Sequence, residues 1–167
     1  MSITSVEYSK LLTLLREESL GLAESCTGGL VSSIITRIPG ASQVFSGAVV
    51  AYSNEVKVRA LGVPRDLLNT HGAVSSHVAL AMARGIGRLA GSSVCASVTG
   101  IAGPLGGSPE KPVGTVYIAV IVREKEFIGH FVFPGDRQAV QNSAAHTLLG
   151  ALMDLLRNDI PKGFSQK

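Results

Sequence analysis

Three polar loops carry the residues that could do chemistry, and each follows an apolar, strand-like run. They are Ala23-Glu24-Ser25-Cys26-Thr27-Gly28-Gly29, Tyr52-Ser53-Asn54-Glu55-Val56-Lys57 and Thr99-Gly100-Ile101-Ala102-Gly103-Pro104. Ser25 offers a hydroxyl nucleophile just before a Gly-rich helix start, whose free backbone N–H groups and dipole suit an oxyanion or a phosphate. Lys57 sits in the first turns of another helix. A partly desolvated lysine there gives up its proton more easily and can act as base to a serine. Together the two residues point to acyl transfer. Plainer roles fit the same residues: Ser25 or Thr27 as a helix cap, Lys57 as a surface charge, Tyr52 as a strand-end packing residue. Cys26 is a rival nucleophile, since helix starts depress thiol pKa. Neighbours in an extended stretch point opposite ways, so only one of Ser25 and Cys26 can face a common pocket.

For these loops to meet, their strands must lie side by side in parallel. Apolar runs at 20–23, 45–52 and 94–98 predict strands, separated by helical patterns at 28–38, 55–61 and 76–90. Helical crossovers make such strands parallel and place all three loops at one carboxyl edge, where open α/β sheets bind ligands. Pro39-Gly40 and Gly62-Val63-Pro64 stop the first two helices, and Ser75 caps the third. An earlier helix is predicted over 5–18 from Val6, Leu11, Leu12, Leu14 and Leu15. Runs at 114–122 and 127–133 flank Arg123-Glu124-Lys125-Glu126 and read as a hairpin. If its first strand opposes the other three, its second runs with them and delivers Gly135-Asp136-Arg137 to the same edge. Arg137 is there a candidate clamp for a carboxylate or phosphate. Asp136 caps a last helix to about 156, and 158–167 reads as a frayed, flexible tail. The stretch 100–113 is rich in Gly and Pro and long for a mere connector, but it lacks the ending of a P-loop.

Composition narrows the class. Of 167 residues, 46% are hydrophobic and 16% charged, with mean hydropathy +0.33, enough to bury a core in one domain over 1–157. Few aromatics and no Trp leave a core of Val, Ile, Leu and Ala, suited to a buried sheet. The longest apolar run, 116–122, falls far short of the ~20 residues that cross a bilayer. No basic-then-apolar leader opens the sequence, so a cytoplasmic protein without membrane contact is expected. Cys26 and Cys95 are expected as reduced thiols. A net charge of +3 with no Lys or Arg run argues against nucleic acid and suits a small anionic ligand. His71, His77, His130 and His146 lack metal-ligand spacing, so no metal is expected. The apolar helices at 76–90 and 138–156 leave room for a homodimer face.

Read together, six segments resemble the CinA carboxyl-terminal domain family, which includes stand-alone nicotinamide-nucleotide amidases of the PncC type. The segments are Ala23 to Gly29, Tyr52-Ser53-Asn54-Glu55 with Lys57, Gly72-Ala73-Val74-Ser75, Thr99 to Pro104, Lys111-Pro112-Val113-Gly114-Thr115 and Gly135-Asp136-Arg137. They occur in the family's order from about residue 5 to 157. The resemblance implies a three-layer α/β/α domain whose mixed, mainly parallel sheet has about five strands. It implies hydrolysis of nicotinamide mononucleotide to nicotinate mononucleotide and ammonia, without metal or organic cofactor. It assigns catalysis to Ser25 and Lys57. Substrate contacts are expected from Glu24, Thr27, Gly28, Gly29, Tyr52, Thr99, Gly100 and Arg137. Two positions depart from many relatives: Gln141 stands where they carry arginine, and Leu105 where they carry Asp or Thr. Loss of that arginine touches phosphate binding first. The alternative is a nucleotide-binding or regulatory module of the same fold, weak or inactive in catalysis.

Overall fold

Capping side chains and glycines mark where the helices of this chain begin and end. The computed structural model describes residues 5–167, with side chains from residue 8 on, so Val6 of the first helical pattern lies outside the described side chains. Helix α1 (Ser5–Leu14) precedes β1 (Leu20–Glu24), α2 (Leu30–Thr36), β2 (Phe45–Val50) and α3 (Asn54–Leu61). Then come α4 (Arg65–His71), α5 (Ser76–Ala90), β3 (Val94–Gly100), β4 (Thr115–Val122), β5 (Lys125–Val132), α6 (Arg137–Leu156) and β6 (Phe164–Gln166). Ser53, Ser75 and Asp136 accept backbone N–H groups from Val56, Val78 and Ala139 and so start α3, α5 and α6. Gly62 and Gly91, at φ +64° and +63°, close α3 and α5 in the left-handed conformation. Helix α2 begins at Leu30 rather than at Gly28, because Gly28 and Gly29 hold φ of +63° and +99°, outside any right-handed helix.

The six strands form one sheet in the order β2-β1-β3-β4-β5-β6. Strands β2 and β3 flank β1 in parallel, whereas β3–β4, β4–β5 and β5–β6 are antiparallel. The sheet is therefore mixed, with β1, β2, β3 and β5 running one way, and it has one strand more than the sequence pattern suggests. Helices α1, α2 and α6 cover one face through Leu11, Leu15, Val31, Ile35, Leu148 and Leu152. Helices α3 and α5 cover the other through Leu61, Val78, Met82 and Ile86. Three layers result, as the family resemblance implies.

Two local features correct the sequence reading. The hairpin turn is only Arg123-Glu124, both at positive φ, so β5 starts at Lys125. The segment 158–167 is not a frayed tail. Its Phe164–Gln166 pairs with Phe127–Gly129 and closes the open edge of β5, with the Phe164 ring tilted against Phe131 at 5.6 Å. Gly129 makes room for it: a Cβ there would lie 2.8 Å from the Phe164 ring. Deleting residues 162–167 is expected to cost about 1–2 kcal/mol, a fall of a few degrees in Tm by calorimetry. An unchanged Tm would show the strand to be passive.

This topology brings the carboxyl ends of β1, β2, β3 and β5 to one edge. The chain leaves β1 toward β2 and leaves β3 toward β4, in opposite directions, so a crevice opens between the ends of β1 and β3.

Candidate active site

That crevice holds a cavity of about 270 Å³ lined by residues from five segments, among them Ser25, Lys57, Tyr52, Val74, Thr99 and Arg137. Ser25 directly follows β1, anchored by its N–H to Val98 O at 3.0 Å. Lys57, in the first turn of α3, reaches back under the end of β2 and is 1% exposed. Its Nζ donates to Ser25 Oγ at 3.0 Å, to Ala51 O at 2.7 Å and to Tyr52 O at 3.4 Å. An ammonium near a helix start is mildly unfavourable; these three oxygens hold it there. Among the described residues no carboxylate lies within ion-pair distance of it. Burial lowers its pKa from the ordinary 10.5, against a smaller upward pull from the Cys26 sulfur.

The structure separates Ser25 from Cys26. Burial pushes the Cys26 thiol up to about 12, so it stays protonated at neutral pH and has little thiolate character. Its sulfur packs against Gly100, where a Cβ would stand 3.1 Å away and also 2.7 Å from Thr115 O. Gly100 thus lets β3 close on the serine turn.

Glu24 and Thr27, expected at the substrate, face inward instead. Glu24 is 0% exposed, and its carboxylate takes five donors. Oε2 accepts from Thr27 Oγ1 at 2.7 Å and from the N–H groups of Gly29 and Val31, both at 3.1 Å. Oε1 accepts from Ser32 N at 2.8 Å and from the Ser32 hydroxyl. The acid beside the nucleophile is therefore an internal cap of α2. Gly28 and Gly29 line a separate, larger cavity of about 630 Å³ with Ser33, Gln138, Gln141 and Asn142. The Gly28 N–H goes to Ser25 O, so neither glycine offers a free amide to the serine site.

Arg137, the first residue of α6, spans the cavity mouth. Its Nη1 donates to Gly103 O at 2.8 Å and its Nη2 to the Tyr52 hydroxyl. Tyr52 is 58% exposed and so presents its ring at the rim. Gln141 does not enter the serine cavity; its Nε2 donates to Cys26 O at 2.8 Å and braces the serine turn from α6. Leu105 lies on the opposite rim, 86% exposed.

Sequence reasoning missed the fourth wall. The carbonyls of residues 71–74 are each held by a side chain: His71 and Val74 by Lys111 Nζ, Gly72 by Ser75 Oγ, and Ala73 by Thr99 Oγ1. Thr99 is thus fixed on Ala73 rather than left free for substrate. The Gly72 to Ser75 and Lys111 to Thr115 segments carried a signal only as motifs, because contacts between distant loops leave no periodicity. Among the described residues, no three His, Cys, Asp or Glu side chains gather as a metal site. No helix there is long and apolar enough to cross a membrane.

A sequence model described as the CinA C-terminal domain matches residues 4–156. A CinA-like protein of Citrifermentans bemidjiense is 51% identical over 142 residues, 84% of this chain and 34% of that protein. One from Thermotoga maritima is 46% identical over 142 residues, covering 85% and 35% respectively. The chain thus spans about a third of the length of these curated relatives. Among solved structures, the competence/damage inducible protein CihA from Agrobacterium tumefaciens superposes with a TM-score of 0.87 at 35% identity, covering 94% of this chain and 99% of that one. A CinA superfamily protein from Enterobacter cloacae gives 0.87 at 33%, covering 93% and 94%.

Proposed function

The chain belongs to the CinA C-terminal domain family, and on that premise we propose that it hydrolyses the carboxamide of nicotinamide mononucleotide. The products are nicotinate mononucleotide and ammonia. The observation that carries this reading is the 3.0 Å contact between Lys57 Nζ and Ser25 Oγ, made by a buried lysine that has no carboxylate partner among the described residues. The substrate's identity rests on the resemblance of the six motifs to the family's amidases.

Neutral Lys57 takes the proton of Ser25 as Oγ attacks the carboxamide carbon. Lys57 then passes that proton to the departing nitrogen, which leaves as ammonia. Water, deprotonated by Lys57, cleaves the ester of Ser25. The N–H of Thr27, two residues past the nucleophile, has no acceptor among the described residues, so it is the donor left for the tetrahedral oxyanion. The pyridinium of the substrate makes its amide carbon more electrophilic, which suits a two-residue apparatus. Arg137 keeps N–H groups beyond the two it commits, available to the ribose phosphate.

The test is ammonia release from nicotinamide mononucleotide by purified protein, with Ser25→Ala as control. Turnover by the wild type and its loss in the variant support the reading; equal turnover in both overturns it. Thermal stabilisation by the nucleotide without ammonia release would assign a binding module instead. The rate is expected to rise with pH through an ionisation below 10.5, as Lys57 loses its proton. A flat profile from neutral pH to pH 10 would remove Lys57 as the base.

A further inference from the structure

Among the described residues, two basic side chains meet at the serine cavity without a counter-ion: Lys57 Nζ hydrogen-bonds a hydroxyl and two carbonyls, and Arg137 a carbonyl and a phenol. Every ion pair among the described residues lies elsewhere: Glu55, Glu126, Glu18, Glu17 and Asp154 serve other arginines. The nearby buried acid, Glu24, is fully occupied by its five donors from Thr27 to Ser32. A third basic side chain, Lys111, stands behind Val74 in the cavity wall, again bonded to carbonyls alone. The remaining titratable groups at the cavity are the Tyr52 phenol and the Cys26 thiol, which burial keeps protonated.

We propose that this cavity binds the carboxylate product more tightly than the carboxamide substrate, so that the protein is restrained by its own product. The inference rests on the amidase reading and deepens it. Hydrolysis of the Ser25 ester gives R–COOH and Ser25–OH. The acid then gives its proton to the Lys57 amine, leaving R–COO⁻ against Lys57–NH₃⁺ about where the carboxamide lay. A neutral pair has become an ion pair inside a partly desolvated cavity, where charge-assisted hydrogen bonds are strong. The Lys57 ammonium so formed has the product anion as its counter-ion, which offsets much of its desolvation penalty. The class of ligand follows: a heteroaromatic carboxylate, with or without its ribose phosphate.

The experiment is calorimetric titration of Ser25→Ala with nicotinate mononucleotide and with nicotinamide mononucleotide at pH 7. The carboxylate is expected to bind about tenfold tighter or better, and the preference to vanish when Lys57→Met is added. In the wild type, nicotinate mononucleotide should inhibit competitively with an inhibition constant below KM, a readout independent of either variant. Equal binding, tighter binding of the amide, or a preference that survives Lys57→Met overturns this inference while leaving the amidase reading intact. Failure of both nucleotides to bind overturns the substrate reading, and this inference with it.

Discussion

Replacing Lys57 with methionine is expected to cut ammonia release by about 10²–10⁴-fold, the usual worth of a positioned general base, while leaving the protein folded. Methionine fills the space of the lysine stem, so the buried volume it occupies is kept. What disappears is the proton acceptor 3.0 Å from Ser25 Oγ. The second signature is thermodynamic. Burial holds the folded pKa of Lys57 below 10.5, so between those two values the unfolded chain binds a proton that the native protein does not. Stability contributed at this site therefore rises with pH across that window. The cost of burying Lys57 is fully present below the folded pKa and gone above the unfolded one. In Lys57→Met that rise should vanish from denaturant titrations run between neutral pH and pH 10. Unchanged turnover would overturn the role of Lys57; an unchanged pH slope would show that its proton is not linked to folding.

The largest loss of stability is expected from Glu24. Glu24→Ala removes the acceptor for five donors, several of them buried, and should cost about 3–5 kcal/mol. For a domain of this size that is a fall in Tm on the order of 10 °C. Glu24→Gln keeps the shape but turns an NH₂ group on donors already placed for an oxygen, so it should recover little. Urea titration reads the difference as a lower midpoint at constant slope. Normal stability with a raised KM would instead return Glu24 to the substrate, the role its position beside Ser25 suggests in the sequence.

That contrast shows what a sequence of this kind discloses. Ser25, Lys57 and Arg137 are legible because topology alone carries their loops to one edge: parallel crossovers for the first two, a hairpin for the third. The strands at 20–23 and 94–98 are legible because a buried strand is written as an unbroken apolar run. Glu24 misleads because residue type and position are identical for a carboxylate that meets substrate and one that caps a helix. The difference lies in a turn of two left-handed glycines that curls α2 back onto it. Residues 158–167 mislead because a short edge strand is made by what it pairs with. Phe164 has its place only once Gly129 leaves a gap beside Phe131. Lys111 is silent because its partners are backbone carbonyls forty residues and fewer away, and no side-chain pattern marks them.

The bridge made by Arg137 has a bearing on when the site comes into being. A ribosome that has released the chain through Ala90 has made both Ser25 and Lys57. It has not yet made β3, which must settle beside β1, nor Gly103 and Arg137, which bridge one side of the mouth. Ser25 and Lys57 are thus early products waiting on late ones. Eighty further residues, from Lys57 to Arg137, must be added before the cavity around the pair can close.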